Sequence, residues 1–279
     1  MADELMGRSV DQVYLKLRFD RPELEHCYGE NVHILTDPVS LGQLADLCEP
    51  QTLQPAINNL VRELYQFLIR NVVKREFPTE IICIKTRMAA VSDSGIWAGQ
   101  VTKKRTKTVT VNILRAGALP SQVSFDFFTR ILDPSFVRQD HVIMSRTIDA
   151  NERVVGAELF GSKIGGDVDN AMLLFPDPMG ATGSSTSKII NYYKENVKGH
   201  PRGIFAVHLV VTPEYLRRMT SDHPDVKVYA LRLDRGASPP DILHEMPGRY
   251  WANESGLTDK HYIVPGGGGF GELINNSCC

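Results

Sequence analysis

The sequence is poor in cysteine, nearly neutral and without a long apolar run, and each absence argues against a class of protein. Its five cysteines are scattered with no C-x-x-C pair, which favours reduced thiols over a disulfide framework or a zinc site. A formal net charge of -2 gives no sign of a nucleic-acid surface. No apolar stretch approaches membrane-spanning length, and residues 1–18 lack the order of a secretion signal. We therefore expect a cytoplasmic protein that binds neither nucleic acid nor membranes.

What the chain does contain is the composition of a globular protein. Over 279 residues it is 42% hydrophobic and 23% charged, which is enough for a substantial core. No internal repeat or low-complexity linker divides it, so we expect one domain over residues 31–279 after an N-terminal extension of residues 1–30. The eight histidines show no metal-ligand spacing, and His208, inside an apolar run, is interpreted as a buried, hydrogen-bonded core residue.

Strand and helix patterns alternate along the chain and predict an α/β fold with a mostly parallel central sheet flanked by helices. Apolar residues at helical spacing predict helices at 54–74, at 121–132 and directly after residue 187. Strands are expected at 80–85, 141–145, 171–175, 204–211 and 226–233, with two more over 95–114 joined by a basic turn at 103–105. A glycine-rich flap is expected at 149–167.

One segment, residues 171–187, reads AMLLFPDPMGATGSSTS, which is an apolar strand, one acidic residue, and then glycines and hydroxyls before a helix. Asp177 can accept hydrogen bonds from ribose hydroxyls. The residues from Thr182 to Thr186 can offer N–H and hydroxyl donors to a phosphate at the positive end of the helix. Ligands of such sheets bind outside the carboxyl ends of the strands, where this loop is expected to lie. The segment therefore predicts a sugar-phosphate site.

This loop resembles the phosphoribosyl pyrophosphate (PRPP) loop of uracil phosphoribosyltransferases, D-P-M-x-A-T-G-x-S, with Ser184 where that family usually has glycine. The resemblance implies a type I phosphoribosyltransferase-like fold with a β-hairpin flap, and a catalytic Asp177 that holds the ribose. It also implies PRPP contacts along the whole loop, at Asp177, Pro178, Met179, Gly180, Ala181, Thr182, Gly183, Ser184 and Ser185. The single acidic residue argues against the purine and orotate branches, which often carry an acidic pair.

A second segment, residues 113–117, reads ILRAG between a strand and a helix and resembles the family's pyrophosphate loop P-I-L-R-A-G, with Asn112 in place of the proline. The leaving pyrophosphate carries several negative charges, and a permanently charged arginine can bond phosphate oxygens bidentately. The resemblance therefore implies that Arg115 is catalytic and binds PRPP. It implies the same for Arg146, which matches a family arginine that follows a strand and precedes the hairpin over the substrate.

The segment near the C-terminus resembles the family's base-binding loop, Y-I-x-P-G-L-G-D-x-G-D-R, but departs from it after Gly266. Gly269 and Glu272 replace the two aspartates, and Leu273 stands where arginine or lysine is usual. The family reads uracil largely through backbone groups, so the resemblance implies uracil contacts at Tyr262, Ile263, Gly268, Gly269 and Phe270. Loss of one charged hydrogen-bond partner at residue 269 costs about 1.5–3 kcal/mol, which slows an enzyme without necessarily silencing it.

Three functions remain open at this stage. The resemblance implies Mg²⁺-assisted transfer of the phosphoribosyl group from PRPP to uracil in pyrimidine salvage, by a homodimer or a higher homo-oligomer, with Mg²⁺ held through PRPP rather than directly by the protein. An alternative is a phosphoribosyltransferase for another pyrimidine-like acceptor, which the altered loop and an insertion at 237–261 favour. The third is a non-catalytic protein that senses PRPP or a nucleotide, which the lost aspartate at Gly269 favours.

Overall fold

The structure is a computed structural model that describes residues 11–16, 18–148 and 154–277. Its strands form two separate sheets. Side chains are described for these residues except 15, 145–148 and 154–157. The strands are β1 (Val32–Ile34), β2 (Thr79–Lys85), β3 (Ile96–Thr102), β4 (Thr108–Leu114), β5 (Val137–Ile148), β6 (Val154–Lys163), β7 (Met172–Pro176), β8 (Met179–Gly180), β9 (Gly203–Val211) and β10 (Val226–Leu233).

The main sheet has eight strands in the order β1-β10-β9-β7-β4-β5-β6, with β8 also paired to β9. Its neighbours are parallel except β5 and β6, which form an antiparallel hairpin. The carboxyl ends of β4, β7, β9 and β10 therefore lie along one edge of the sheet. The predicted α/β fold with a mostly parallel sheet and a hairpin is confirmed.

Helices cover both faces of this sheet. They are α1 (Pro38–Cys48), α2 (Ala56–Glu76), α3 (Ala118–Ile131), α4 (Ser184–Asn196), α5 (Pro213–Asp222) and the short α6 (Phe270–Leu273). One hydrophobic core joins the sheet to α1, α2 and α3, and a second joins its other face to α4 and α5. Successive side chains of β7 point to opposite faces of the sheet: Leu174 packs into the first core and Leu173 into the second. No helix within the described ranges is long and apolar enough to cross a membrane.

The expected elements match the structure with three differences. The strands expected at 80–85, 171–175, 204–211 and 226–233 and the helix at 54–74 are confirmed to within about two residues at each end. β5 is longer than the expected strand, because it pairs with β4 on one side and with β6 on the other. The two strands over 95–114 exist, but β3 pairs with β2 in a separate ribbon while β4 joins the main sheet. The helices α1, α5 and α6 and the strands β1 and β8 are not among the predicted elements. Of the flap, residues 149–153 lie outside the described part.

A buried arginine ties the N-terminal segment to the insertion at 237–261. Arg235, two residues after β10, is 0% exposed, and its guanidinium donates to Asp11 at 2.8 Å and to Glu254 at 2.9 Å. Glu254 also accepts a hydrogen bond from the Tyr28 hydroxyl. A buried charge is tolerated only when it is paired and hydrogen-bonded, so these carboxylates fix both segments against the end of β10.

Candidate active site

Asp177 follows β7 directly and is held in a tight turn. Its backbone N–H donates to the Val207 carbonyl of β9 at 3.0 Å, and its Oδ1 accepts from the Met179 N–H at 3.2 Å. The side chain is half-buried. A carboxylate that accepts from the chain two residues ahead shapes such a turn. The structure therefore places Asp177 where the sequence predicted, at the carboxyl end of a central strand.

The loop after Asp177 is fastened to β9 and to the start of α5. The Pro178 carbonyl accepts from the Leu209 N–H at 3.0 Å and from the Val210 N–H at 3.1 Å. Thr212, the N-cap of α5, donates its hydroxyl to the Ala181 carbonyl at 2.7 Å. With its carbonyls turned toward the protein, the loop leads into α4, whose first-turn N–H groups have no acceptor within the helix. Such a helix start attracts a phosphate.

Two glycines allow the loop to lie close to α5. Gly183 has φ +75°, a left-handed conformation that L side chains rarely adopt, and it is the N-cap of α4. A Cβ at Gly180 would stand 3.0 Å from the Tyr215 ring. Gly183 therefore permits the turn at the start of α4, and Gly180 permits close packing against α5, as expected of glycines in such a loop.

The predicted pyrophosphate loop lies beside the Asp177 loop. β4 ends at Leu114, and α3 begins at Ala118 after the N-cap Gly117. A Cβ at Gly117 would stand 3.1 Å from the Pro176 carbonyl oxygen, so the two loops are in contact. Arg115 is 58% exposed, and its guanidinium is thus available to a ligand at this edge.

The third predicted loop reaches the same place. Glu272 in α6 accepts from the Arg115 guanidinium at 2.9 Å, and a Cβ built on Gly271 would stand 3.9 Å from Ala116. At its other end the loop is anchored to β10: the Gly266 N–H donates to buried Asp234 at 2.8 Å. The structure therefore brings Arg115, Asp177 and the 262–277 segment together at one edge of the sheet.

The anchor of this loop is an ion pair at the end of β10. Arg232 donates to Asp234 at 2.6 Å and to the Gly266 carbonyl at 2.8 Å. Burial opposes the charge of Arg232, but the Asp234 carboxylate outweighs it and raises the pKa of Arg232. Gly266 and Gly268 have φ +63° and +89°, so the loop turns where only glycine adopts the backbone easily.

The five positions predicted to contact uracil have different surroundings. Gly268 and Gly269 are exposed at the rim, and Tyr262 is 63% exposed. Ile263 packs at the margin of the first core, and Phe270 is 2% exposed within it. The Phe270 ring is therefore a core side chain, and only its backbone can face a ligand.

Arg146 lies in β5, opposite Ala157 of β6, and not after the strand as expected. The difference arises because β5 continues into the hairpin. The side chain of Arg146 lies outside the described residues, so the structure does not test its predicted contact with PRPP.

Two buried groups stand behind the Asp177 turn. Tyr65 donates to the Val207 carbonyl at 3.1 Å, and burial together with the nearby Asp177 carboxylate raises its pKa. His208 is 0% exposed, and burial lowers its pKa to about 4. The interpretation of His208 as a buried, hydrogen-bonded core residue is confirmed, since both its ring nitrogens have partners.

Sequence reasoning missed three residues that build this site. Thr212 caps α5 and holds the loop, and the T-P-E start of that helix is a recognisable N-terminal signal. Asp234 and Glu272 act through contacts with distant residues, for which the sequence offers no local signal. In the described part of the chain, no group of three or more His, Cys, Asp or Glu side chains is placed to hold a metal ion.

The fold is that of the type I phosphoribosyltransferases, and the family and relatives below assign the protein to the phosphoribosyltransferase class. The solved structure of AQ2163 protein from Aquifex aeolicus has the same fold, with a TM-score of 0.65 at 18% identity over 87% of this chain and 97% of that one. A family model described as uracil phosphoribosyltransferase matches residues 34–248, and the chain belongs to that family.

Full-length relatives agree with this assignment. The uracil phosphoribosyltransferase of Campylobacter curvus is 27% identical over 250 residues, covering 89% of this chain and 99% of its own length. That of Caldanaerobacter subterraneus subsp. tengcongensis is 28% identical over 245 residues, covering 88% and 97%. The similarity therefore spans nearly the whole of each relative.

Proposed function

We propose that the protein transfers the phosphoribosyl group of PRPP to uracil, giving UMP and pyrophosphate in pyrimidine salvage. The bond from C1 of the sugar to the pyrophosphate oxygen breaks, a bond from C1 to a ring nitrogen of uracil forms, and the proton of that nitrogen leaves. Positive charge grows on the sugar and negative charge on the pyrophosphate, as in glycosyl transfer generally. The observation that carries the proposal is the convergence of Arg115, Asp177 and the start of α4 at one sheet edge.

Each part of PRPP has a counterpart at this edge. Asp177 accepts from the ribose hydroxyls and stabilises the charge that develops on the sugar. Residues 179–185 and the first turn of α4 hold the 5′-phosphate, which fixes the orientation of C1. Arg115 bonds the pyrophosphate and stabilises its departure, because a guanidinium matches phosphate oxygens in pairs. Arg146 is proposed as a second cation, since β5 leads into the hairpin beside this edge.

Uracil is proposed to lie against the backbone of the 262–270 segment. The exposed peptide groups around Gly268 and Gly269 support this role, because backbone N–H and C=O groups can read the edge of a base whatever the side chain. Ile263 and Phe270 contribute main-chain groups, and Tyr262 contributes at the rim. We propose that Mg²⁺ enters as the Mg–PRPP complex, with PRPP oxygens as its ligands.

The proposed acting unit is a homo-oligomer formed through the β2–β3 ribbon. Ile81 and Ile96 on one face of this ribbon are 79% and 54% exposed, and Ile84 and Trp97 on the other are 48% and 44% exposed. A two-stranded ribbon is only marginally stable in water, and apolar patches of this kind mark interfaces. A second copy brings an identical ribbon with the same apolar side chains, which can pack against this one. Light scattering tests this: wild type should be at least dimeric, and Ile81→Lys with Trp97→Ser should be monomeric and folded.

The decisive test of the function is an assay with PRPP, Mg²⁺ and a panel of bases, in which nucleotide and pyrophosphate are measured together. UMP formed at enzyme-like turnover supports the proposal. Turnover with another pyrimidine alone would assign a different acceptor, and PRPP binding without turnover on any base would contradict an enzyme. The assay is best done on the full chain, because we propose residues 31–279 as the catalytic domain, residues 1–30 as an extension and the cytoplasm as the location.

A further inference from the structure

A fully buried histidine lies directly behind the Asp177 turn. His208 in β9 is 0% exposed, and its Nδ1 lies 2.6 Å from the Asp177 carbonyl oxygen. Its Nε2 lies 2.6 Å from the hydroxyl of Tyr215, which is also 0% exposed. The two rings meet edge to face with their centroids 4.6 Å apart. The proposed reaction uses neither side chain.

The partners of His208 determine which ring nitrogen carries the proton. A carbonyl oxygen can only accept, so Nδ1 must carry the hydrogen and donate to Asp177. Because burial lowers the pKa of His208 to about 4, the ring is neutral near pH 7 and has a single N–H. Nε2 is therefore an acceptor, and the Tyr215 hydroxyl donates to it.

Tyr215 also links His208 to the helix that follows the PRPP loop. Burial raises the pKa of the Tyr215 phenol, and Thr186, in the first turn of α4, interacts with the hydroxyl and lowers that pKa by a smaller amount. Because the phenol proton points to His208, Thr186 can act on the Tyr215 oxygen only as a donor. The Tyr215 ring also lies against the loop glycines, 3.0 Å from a Cβ built on Gly180 and 3.4 Å from one built on Gly183. One directed chain thus runs from α4 to the backbone of the ribose-binding residue.

We propose that His208 and Tyr215 are positioning residues that set the distance between the Asp177 carboxylate and the phosphate-binding start of α4. This inference rests on the proposed function, in which these two points hold the ribose hydroxyls and the 5′-phosphate of one PRPP molecule. A fixed spacing matters because both ends of the sugar must be bound while C1 moves toward the base. Buried chains in which every donor and acceptor is satisfied hold their members rigidly.

Two substitutions of His208 by amide side chains of different length distinguish a positioning role from simple packing. In His208→Asn the side-chain nitrogen falls near the place of Nδ1 and can still donate to the Asp177 carbonyl. In His208→Gln the amide falls near the place of Nε2, and that donation is lost. Small misplacements can cost about a hundredfold in rate, so we expect His208→Gln to lower kcat/KM for PRPP by about tenfold or more. His208→Asn keeps the donation to Asp177 and loses only the contact with the Tyr215 hydroxyl, so we expect it to lose less kcat/KM than His208→Gln. The KM for uracil should change less than about twofold in both.

Tyr215→Phe supplies the second arm, because it removes only the hydroxyl that links His208 to Thr186. We expect PRPP affinity, measured by calorimetry, to fall most in His208→Gln. Tyr215→Phe and His208→Asn each break the link between residue 208 and the Tyr215 hydroxyl, so their losses should be smaller and similar to each other. Calorimetry needs no acceptor base, so it tests the inference even if wild type forms no UMP. Thermal unfolding of each variant shows that the comparison is between folded proteins.

Nitrogen-15 NMR of the wild-type imidazole tests the geometry independently of activity. We expect the neutral tautomer with the proton on Nδ1 near pH 7, with and without PRPP. A proton on Nε2 overturns the inference, because the Asp177 carbonyl would then have no donor from His208. Equal losses of PRPP affinity in His208→Asn and His208→Gln also overturn it, since those would reflect lost packing alone.

Discussion

The guanidinium of Arg115 donates to the Glu272 carboxylate across 2.9 Å, which joins the loop after β4 to the segment proposed to bind the base. Arg115 is 58% exposed and Glu272 is 27% exposed, so the pair lies at the surface and is open to a ligand. In the proposed reaction the pyrophosphate needs the same cation. Glu272 and PRPP therefore compete for Arg115.

Removing the charge of Glu272 should strengthen PRPP binding. A surface ion pair is worth about 0.2–1 kcal/mol, so we expect Glu272→Gln to lower the KM for PRPP by up to about fivefold. The effect should shrink at high salt, which screens exposed pairs. Steady-state kinetics with PRPP varied measures it, and Glu195→Gln, an exposed change on α4 away from the Arg115–Glu272 pair, is the control. A rise in the KM for PRPP would show that Glu272 assists binding instead.

Arg115 itself should be indispensable for turnover. We expect Arg115→Ala to lower kcat by about a hundredfold or more, because one preorganised donor to a developing oxyanion has about that effect. Arg115→Lys keeps the charge but loses the paired donors, so it should recover only part of the rate. Single-turnover measurement of UMP formation separates the chemical step from product release. A normal kcat in Arg115→Ala would show that Arg115 does not stabilise the departing pyrophosphate.

Asp177→Asn separates the structural role of Asp177 from its chemical role. The asparagine Oδ1 can still accept from the Met179 N–H, so the turn and the melting temperature should be preserved. The charge that accepts from the ribose hydroxyls and faces the developing cation is lost, and we expect kcat to fall by about a hundredfold. Thermal unfolding and kinetics on the same sample measure both. Loss of folding in Asp177→Asn would mean that the turn depends on the charge.

The positions of two of the loops could be predicted because their signals are local. An acidic residue directly after an apolar strand, a glycine before the helix that follows, and an arginine between a strand and a helix each mark a strand-to-helix loop. Parallel strands alternate with helices, so their ends must share an edge. Helix α5 also carries a local signal at its start, where Thr212 precedes Pro213 and Glu214.

What the sequence could not supply is the set of contacts between residues far apart in the chain. In the sequence, Glu272 is recognisable only as a replacement for an aspartate of the family, and its contact with Arg115 depends on the fold. His208 is interpretable as a buried residue, but its link through Tyr215 depends on how α5 packs against β9. Phe270 looks like a base contact because it lies in the loop, while hydrophobic burial places its ring in the core.

Restoring an aspartate at residue 269 tests the alignment of the altered loop. Gly269 has φ -82°, which any residue can adopt, but its Cβ would stand 2.6 Å from a Glu272 carboxylate oxygen. An aspartate there must displace the flexible end of Glu272, and like charges favour that movement. We therefore expect Gly269→Asp to equal or exceed wild type in UMP formation, with Gly269→Asn as the uncharged control. A collapse of activity in Gly269→Asp but not in Gly269→Asn would show that a carboxylate does not belong at this position.

His208 should make the stability of the protein depend on pH. Burial lowers its pKa from 6.5 to about 4, so between these values the unfolded chain binds a proton that the folded chain refuses. Above about pH 6.5, His208 therefore does not lower the free energy of unfolding. Below that pH the free energy of unfolding falls as the pH is lowered toward 4, and about 2 kcal/mol is lost at pH 5. The pKa values of His26 and His223 are also lowered, so the whole protein will lose more than this share.

The contribution of His208 is isolated by comparing wild type with His208→Asn, which cannot titrate. Urea unfolding at pH 7.5 and at pH 5.0 gives a change in unfolding free energy for each protein, and the other histidines contribute equally to both. We expect wild type to lose about 2 kcal/mol more than the variant, because only wild type must keep a buried imidazole neutral. Equal losses in the two proteins would mean that His208 accepts a proton in the folded state, and its single N–H could then no longer be assigned from its partners.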